Sequence, residues 1–335
     1  MFMHRFSSQP AETLLSDPTT FAVVTFNGCC EVSIPGLIHS GIEALPESES
    51  VEVWQIPGAE VQREQRGDCY ITKTQDVLCA AVCASATECL DIKQAAYRSY
   101  MQLIDIMAET AYPYPLRFWN YLPHINRGAG DREYYKVFCE GRLNAFSQSG
   151  YLNEQFPAAS ALGHGGDAAV FYVFASKQPA KHFENPTQEK AYHYPRQYGK
   201  SRPSFARATA LSPQRESTLF ISGTAAIVGH ESIHCGATQA QVETTLDNIR
   251  TLLAHSGRHI SALQSFKVYL RDAAALTQVK NIVQSQFPKV ATLYTRADIC
   301  RDNLLVEIEA HCESGASAGK QEPLIRTKTQ TLRLQ

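Results

Sequence analysis

Thr238-Gln-Ala-Gln-Val-Glu-Thr-Thr-Leu-Asp-Asn-Ile-Arg-Thr-Leu-Leu253 decides how the chain is read. Val242, Leu246, Ile249 and Leu253 recur at helical spacing, Thr238-x-x-Gln241 forms a capping box, and Gly257 closes the helix. Upstream, Leu219-Phe-Ile-Ser222 reads as a strand that Gly223 breaks. Downstream, Phe266, Val268 and Leu270 alternate as a strand, and Asp272 caps a second helix carrying Leu276, Val279 and Val283. Pro288 follows the end of that helix, and strands over 290–295 and 304–310 finish the unit. Strand, helix, strand, helix, strand, strand predicts an α/β (α+β) fold, a mixed sheet with helices packed on one face.

Working outward, the first half also mixes strands and helices. Strands are expected over 21–26, 51–56, 69–72 and 77–84, the last wholly apolar and so buried on both faces. Thr87 opens a helix with Leu90, Tyr97, Met101, Ile104 and Ala108 on one side, stopped by Pro113. A second helix runs from about 132 to 149 and ends at Gly150; a buried strand covers 168–174. From 177 to 207 the chain turns polar, with Pro179, Pro186, Pro195 and Pro203. A loop this long inside a compact protein is expected to be functional. The expected division is residues 1–175, a loop region 176–215 contributing to the site, and residues 216–335.

The 335 residues are 44% hydrophobic, enough for a large core or two domains. Thirty-one Lys+Arg against 33 Asp+Glu leave a formal charge of −2, so no long-range field favours nucleic acid or an anionic membrane. No apolar run approaches the ~20 residues of a membrane span. The start is broken by His4, Arg5 and Pro10 and is not expected to be a secretory signal. None of the ten cysteines sits in a Cys-x-x-Cys, and several lie in apolar stretches. Reduced thiols in a cytoplasmic protein are expected.

Four features are candidate sites. His230-Glu-Ser-Ile-His234 has the letters of a zinc motif, but it lies between a strand and a capping box. We read it as a polar connection rather than a helix presenting two ligands on one face. Arg142 rides an apolar stripe with Tyr135, Phe138 and Phe146, and a desolvated guanidinium needs an anion, from the protein or from a ligand. Residues 190–207 mix Tyr and Pro with Arg196, Arg202 and Arg207, which suit a solvated basic loop or a carboxylate clamp. In the last strand Val306, Ile308 and Ala310 point one way, and Glu307 and Glu309 the other. That second face is either wet, or Glu307 lines a cleft as a neutral general acid. Cys300 precedes it, across a turn at Arg301-Asp-Asn303.

Residues of roughly 218–312 resemble the Rid (YjgF-like) imine and enamine deaminases, on the helix quoted above and the ending Val306-Glu-Ile-Glu-Ala310. The position matching their carboxylate-binding arginine is Thr292 here, with Arg296 nearby. Over most of its length the chain is similar to the chorismatases, which fuse a divergent, related N-terminal domain to a Rid-like one. The likeness rests on 117–126, Tyr135-Lys-Val-Phe-Cys-Glu-Gly-Arg142, Tyr194-Pro-Arg-Gln-Tyr-Gly199, Pro203-Ser-Phe-Ala-Arg207 and Ser222-Gly-Thr-Ala-Ala226, in that order.

The resemblance implies chorismate as substrate and a monomer; the reaction so implied needs no cofactor and no metal, and the charge balance predicts no nucleic-acid or membrane partner. It implies Glu307 as the acid and Cys300 as the mark of the branch making 3- and 4-hydroxybenzoate. It also implies substrate binding by Arg142, Tyr198 and Arg207, with Ala225 as a small pocket residue. A neutral Glu307 would protonate the enolpyruvyl methylene, and pyruvate would leave. The alternatives are a Rid-type deaminase, a chorismate hydrolase giving a dihydroxy-cyclohexadiene carboxylate, and a small-molecule sensor without turnover.

Overall fold

The structure, a computed structural model, describes residues 2–211 and 218–313. The end of the unit expected over 216–335, and the 212–215 end of the loop region, lie outside them. Two seven-stranded sheets dominate. In the first, the central strands run in the order Ala158–His164, Tyr114–Pro123, Ala169–Ser176, Val77–Ala84. In the second the order is Ala291–Arg296, Leu263–Leu270, Val306–Cys312, Leu219–Thr224. Each sheet has one parallel pair, 114–123 with 158–164 and 263–270 with 291–296, and its other central pairs are antiparallel.

The two halves therefore share one topology. Helices Ile92–Glu109 and Tyr134–Gln148 follow Val77–Ala84 and Tyr114–Pro123, the first two of the four central strands in chain order; Thr238–His255 and Leu276–Gln286 likewise come after Leu219–Thr224 and Leu263–Leu270. The expected α/β (α+β) plan, a mixed sheet with helices on one face, is present twice. Each unit also lends an edge strand to the other: Glu43–Ala44 pairs with Ala291–Arg296, and Asp298–Ile299 with Ala158–His164.

Strand alternation builds the layers. In Val77–Ala84, Leu78, Ala80 and Val82 pack under the N-terminal helices while Val77, Cys79 and Ala81 face a central core. That core lies between the sheets and gathers Trp119, Tyr172 and Phe174 from the first, with Phe220 and Tyr269 from the second. A five-stranded sheet adds Phe21 and Trp54. The C-terminal helices cover a third core containing Val242, Leu246, Val279 and Val283.

Several expectations change. Gly223 does not end its strand; it sits inside Leu219–Thr224, where the register with Val306–Cys312 slips between Ile221 and Thr224. The slip is a β-bulge. Residues 177–207 are not all loop, since Ala180–Phe183 joins the second sheet and short 3₁₀ turns cover Ala191–His193 and Arg196–Tyr198. Thr238 makes no capping hydrogen bond. Gln241 instead donates to the Asn303 carbonyl (2.9 Å) and accepts from Leu305 N (2.8 Å).

Candidate active site

The strand Val306–Cys312 carries Val306, Ile308 and Ala310 into the helix-side core, so Glu307, Glu309 and His311 turn to the layer between the sheets. That face is not wet: Glu307 is 3% exposed and Glu309 4%. An interior placed on both sides of this strand is what the alternation concealed.

The two carboxyls have different company. Glu309 lies 3.2 Å from Arg117 Nη2 and 3.2 Å from Lys267 Nζ, and it accepts hydrogen bonds from Trp119 Nε1 (3.0 Å) and Tyr269 OH (3.1 Å). Burial opposes its charge, but Lys267 and Arg117 hold the carboxyl below the usual range. No ion pair reaches Glu307 among the described residues. Burial, and then the charge of Glu309, push its pKa up to about 8 against the pull of Arg117. At neutral pH Glu307 is a proton donor.

Room for that carboxyl comes from the bulge. A Cβ built on Gly223 would overlap Glu307 Oε1 and lie 2.7 Å from its Cδ and 2.9 Å from Ser160 Oγ. Ser160 is itself held by Arg117 Nη2 (2.6 Å) and accepts from Gly223 N (2.8 Å).

Glu307 opens on a cavity of about 430 Å³ whose walls come from both halves, a size suited to a small ligand. Gly223 and Ala225 line it beside Glu307, and Cys300, Tyr198 and Arg207 complete five of the six residues expected at the site. Cys300 follows the strand Asp298–Ile299 that pairs with the N-terminal sheet, and Arg271 holds the turn through the carbonyls of Ile299 (3.0 Å), Arg301 (2.9 Å) and Leu304 (2.9 Å). Burial and the neighbouring Glu307 push its thiol up to about 12, so Cys300 is neutral and no thiolate nucleophile.

Arg142 is the sixth, and it does not line the cavity. Arg142 is 1% exposed; its guanidinium lies 4.8 Å from the Phe138 ring and 3.6 Å from Cys139 Sγ, and it hydrogen-bonds Tyr100 of the helix Ile92–Glu109. No carboxylate partners it among the described residues. It stands behind the lining, within electrostatic reach of Tyr135, which does line the cavity.

Arg301 was missed. It was read as part of a turn, yet it lines the cavity with its guanidinium 3.9 Å from the Tyr198 ring centroid. Its Nη1 donates to the His230 carbonyl (2.8 Å) and Ser232 Oγ (3.0 Å). Arg207 faces the same space, donating to the Glu189 carbonyl (2.8 Å) and Tyr194 OH (2.6 Å). The His230–His234 motif is a hairpin of Ile227–Val228 with Glu231–Ser232, not a helix, so its histidines share no helical face. Thr292 and Arg296, nominated by the Rid likeness, are not among the residues lining the cavity.

Comparison with known proteins supplies the family context. The family model described as "Chorismatase FkbO/Hyg5-like, N-terminal" matches residues 52–175, and "Endoribonuclease L-PSP" matches 202–313. A 3-hydroxybenzoate synthase of Streptomyces hygroscopicus is 35% identical over 310 residues, covering 86% of this chain and 89% of the relative. A chorismatase of Streptomyces rapamycinicus is 36% identical over 224 residues, 63% of this chain and 67% of the relative. A crystal structure of a chorismatase superposes with a TM-score of 0.82 at 27% identity, over 93% of this chain and 98% of the other.

Proposed function

The chain belongs to the chorismatase family, and from that premise we propose that it converts chorismate to 3-hydroxybenzoate and pyruvate, with 4-hydroxybenzoate as a second product. The observation that carries this reading is Glu307: a buried carboxyl, neutral at pH 7, in the wall of a ligand-sized cavity.

Chorismate carries an enol ether and two carboxylates. Protonation of the methylene carbon by Glu307 makes an oxocarbenium ion. Arg207 and Arg301 bind the carboxylates and hold the ring while the cation forms, with Tyr198 fixing Arg301 and Ala225 leaving room for the ring. Arg142 supports this wall from behind Tyr135. Pyruvate then departs as the ring's own C4 hydroxyl displaces it at carbon 3; the epoxide so formed opens at its C4–O bond, and loss of the C3 proton gives 3-hydroxybenzoate. Cys300, a neutral thiol beside Glu307, biases the site toward this route over attack by water.

In this reading residues 1–175 and 216–335 form two units, and 176–215 supply Tyr198 and Arg207. The chain acts as a cytoplasmic monomer that binds no nucleic acid. The steps are proton transfers, an internal displacement and a ring opening, balanced without a cofactor.

Incubation of the purified, metal-free protein with chorismate, followed by chromatography, tests the proposal. Pyruvate with 3-hydroxybenzoate is the expected result. Pyruvate with a non-aromatic diene diol would overturn the role given to Cys300, and no pyruvate would overturn the proposal.

A further inference from the structure

Glu307 and Glu309 share one strand face two residues apart, so about 7 Å separates their Cα atoms. The groups around Glu307 come from every neighbouring element. They are Arg117 of Tyr114–Pro123, Ser160 of Ala158–His164, Gly223 of Leu219–Thr224 and Tyr269, its register partner in Leu263–Leu270. Cys300, Arg301 and Arg207 add to these across the cavity, as do Glu133, Lys136, Glu231 and Asp302. Arg117 is the cation that pulls Glu307 toward its charged form, because a guanidinium near a carboxyl favours the carboxylate. Its Nη2 is engaged elsewhere, by Glu309 at 3.2 Å and Ser160 at 2.6 Å, while its buried Nη1 has no hydrogen-bond partner among the described residues. Glu309 is anchored in turn by Lys267, which Glu52 holds from the far side at 2.9 Å.

We propose that Glu309 is a positioning residue for Glu307: gripped by Lys267, it keeps Arg117 from pairing with Glu307 and sets a fixed negative charge beside it. The proposal rests on the reading of Glu307 as the acid. Loss of the Glu309 charge frees Arg117 toward Glu307, which then ionises and can no longer donate.

The test is the pH profile of kcat/KM for pyruvate release, together with infrared detection of the neutral carboxyl band that Glu307→Gln removes. Glu309→Gln moves the alkaline limb down by about one pH unit or more and weakens the band at pH 7 by about half or more; Glu309→Asp keeps both. Arg117→Met, which leaves Glu309 its Lys267 partner and serves if the first variant does not fold, moves the limb up. A purely structural Glu309 would lower kcat and leave limb and band in place, which overturns the proposal. Full turnover by Glu307→Gln would instead overturn the reading beneath it. An inactive Glu307→Gln with an unmoved limb in Glu309→Gln removes this proposal alone.

Discussion

Glu307 occupies the space that a side chain at residue 223 would fill, so the proposed acid owes its seat to the missing Cβ of Gly223. The bulge that brings this glycine in also lets Gly223 N reach Ser160, which holds Arg117. One backbone irregularity thus sets the position of the carboxyl and one of its electrostatic neighbours.

Gly223→Ala follows from that relationship. The added methyl must displace Glu307, and a misplacement of about 1 Å costs on the order of 10²-fold in rate. Steady-state turnover of chorismate should show this mainly in kcat. Unchanged kcat in a folded variant would contradict the seating.

The acid must be protonated to work, and its pKa lies at about 8. The free-enzyme profile, kcat/KM against pH, should therefore be flat through neutrality and fall as pH rises past about 8. An alkaline limb near the ordinary carboxyl value of 4.5 would contradict a buried neutral Glu307.

The same shift predicts a stability signature. The folded pKa is raised, so the stabilisation is fully present below the unfolded value of 4.5 and is lost as pH rises to about 8. Glu307→Gln carries no such dependence. Urea titrations should show the variant gaining on the wild type across this window and running parallel above it.

Cys300 is neutral and lies beside Glu307, so Cys300→Ala changes the shape of the site and removes a proton-bearing group without removing a nucleophile. The ratio of 3- to 4-hydroxybenzoate, or the yield of diene diol, should shift while pyruvate release continues. An identical product ratio would count against the assigned role.

The C-terminal unit was legible because its apolar positions follow clean helical and strand periods, from Val242 to Ala310. The strand Tyr114–Pro123 was not identified from periodicity. It holds Arg117 and Asn120 in the interior, and their partners Glu309, Tyr100 and Ser160 are distant in sequence. Glu307 and Cys300 stood out through the family likeness; alternation alone favoured a wet face for Glu307. Arg301 looked like a turn residue because its role depends on Tyr198 and His230, brought near only by folding. Gly223 carried a readable sign, since a lone glycine in a strand pattern marks a bulge as readily as a break.

The central claim is that Glu307 supplies the proton that releases pyruvate from chorismate. Turnover of chorismate by the wild type and by Glu307→Gln, measured side by side with substrate binding, tests it most directly. The account predicts pyruvate and 3-hydroxybenzoate from the wild type, and a loss on the order of 10²- to 10⁴-fold in the variant with binding retained. Comparable turnover by both proteins would contradict it.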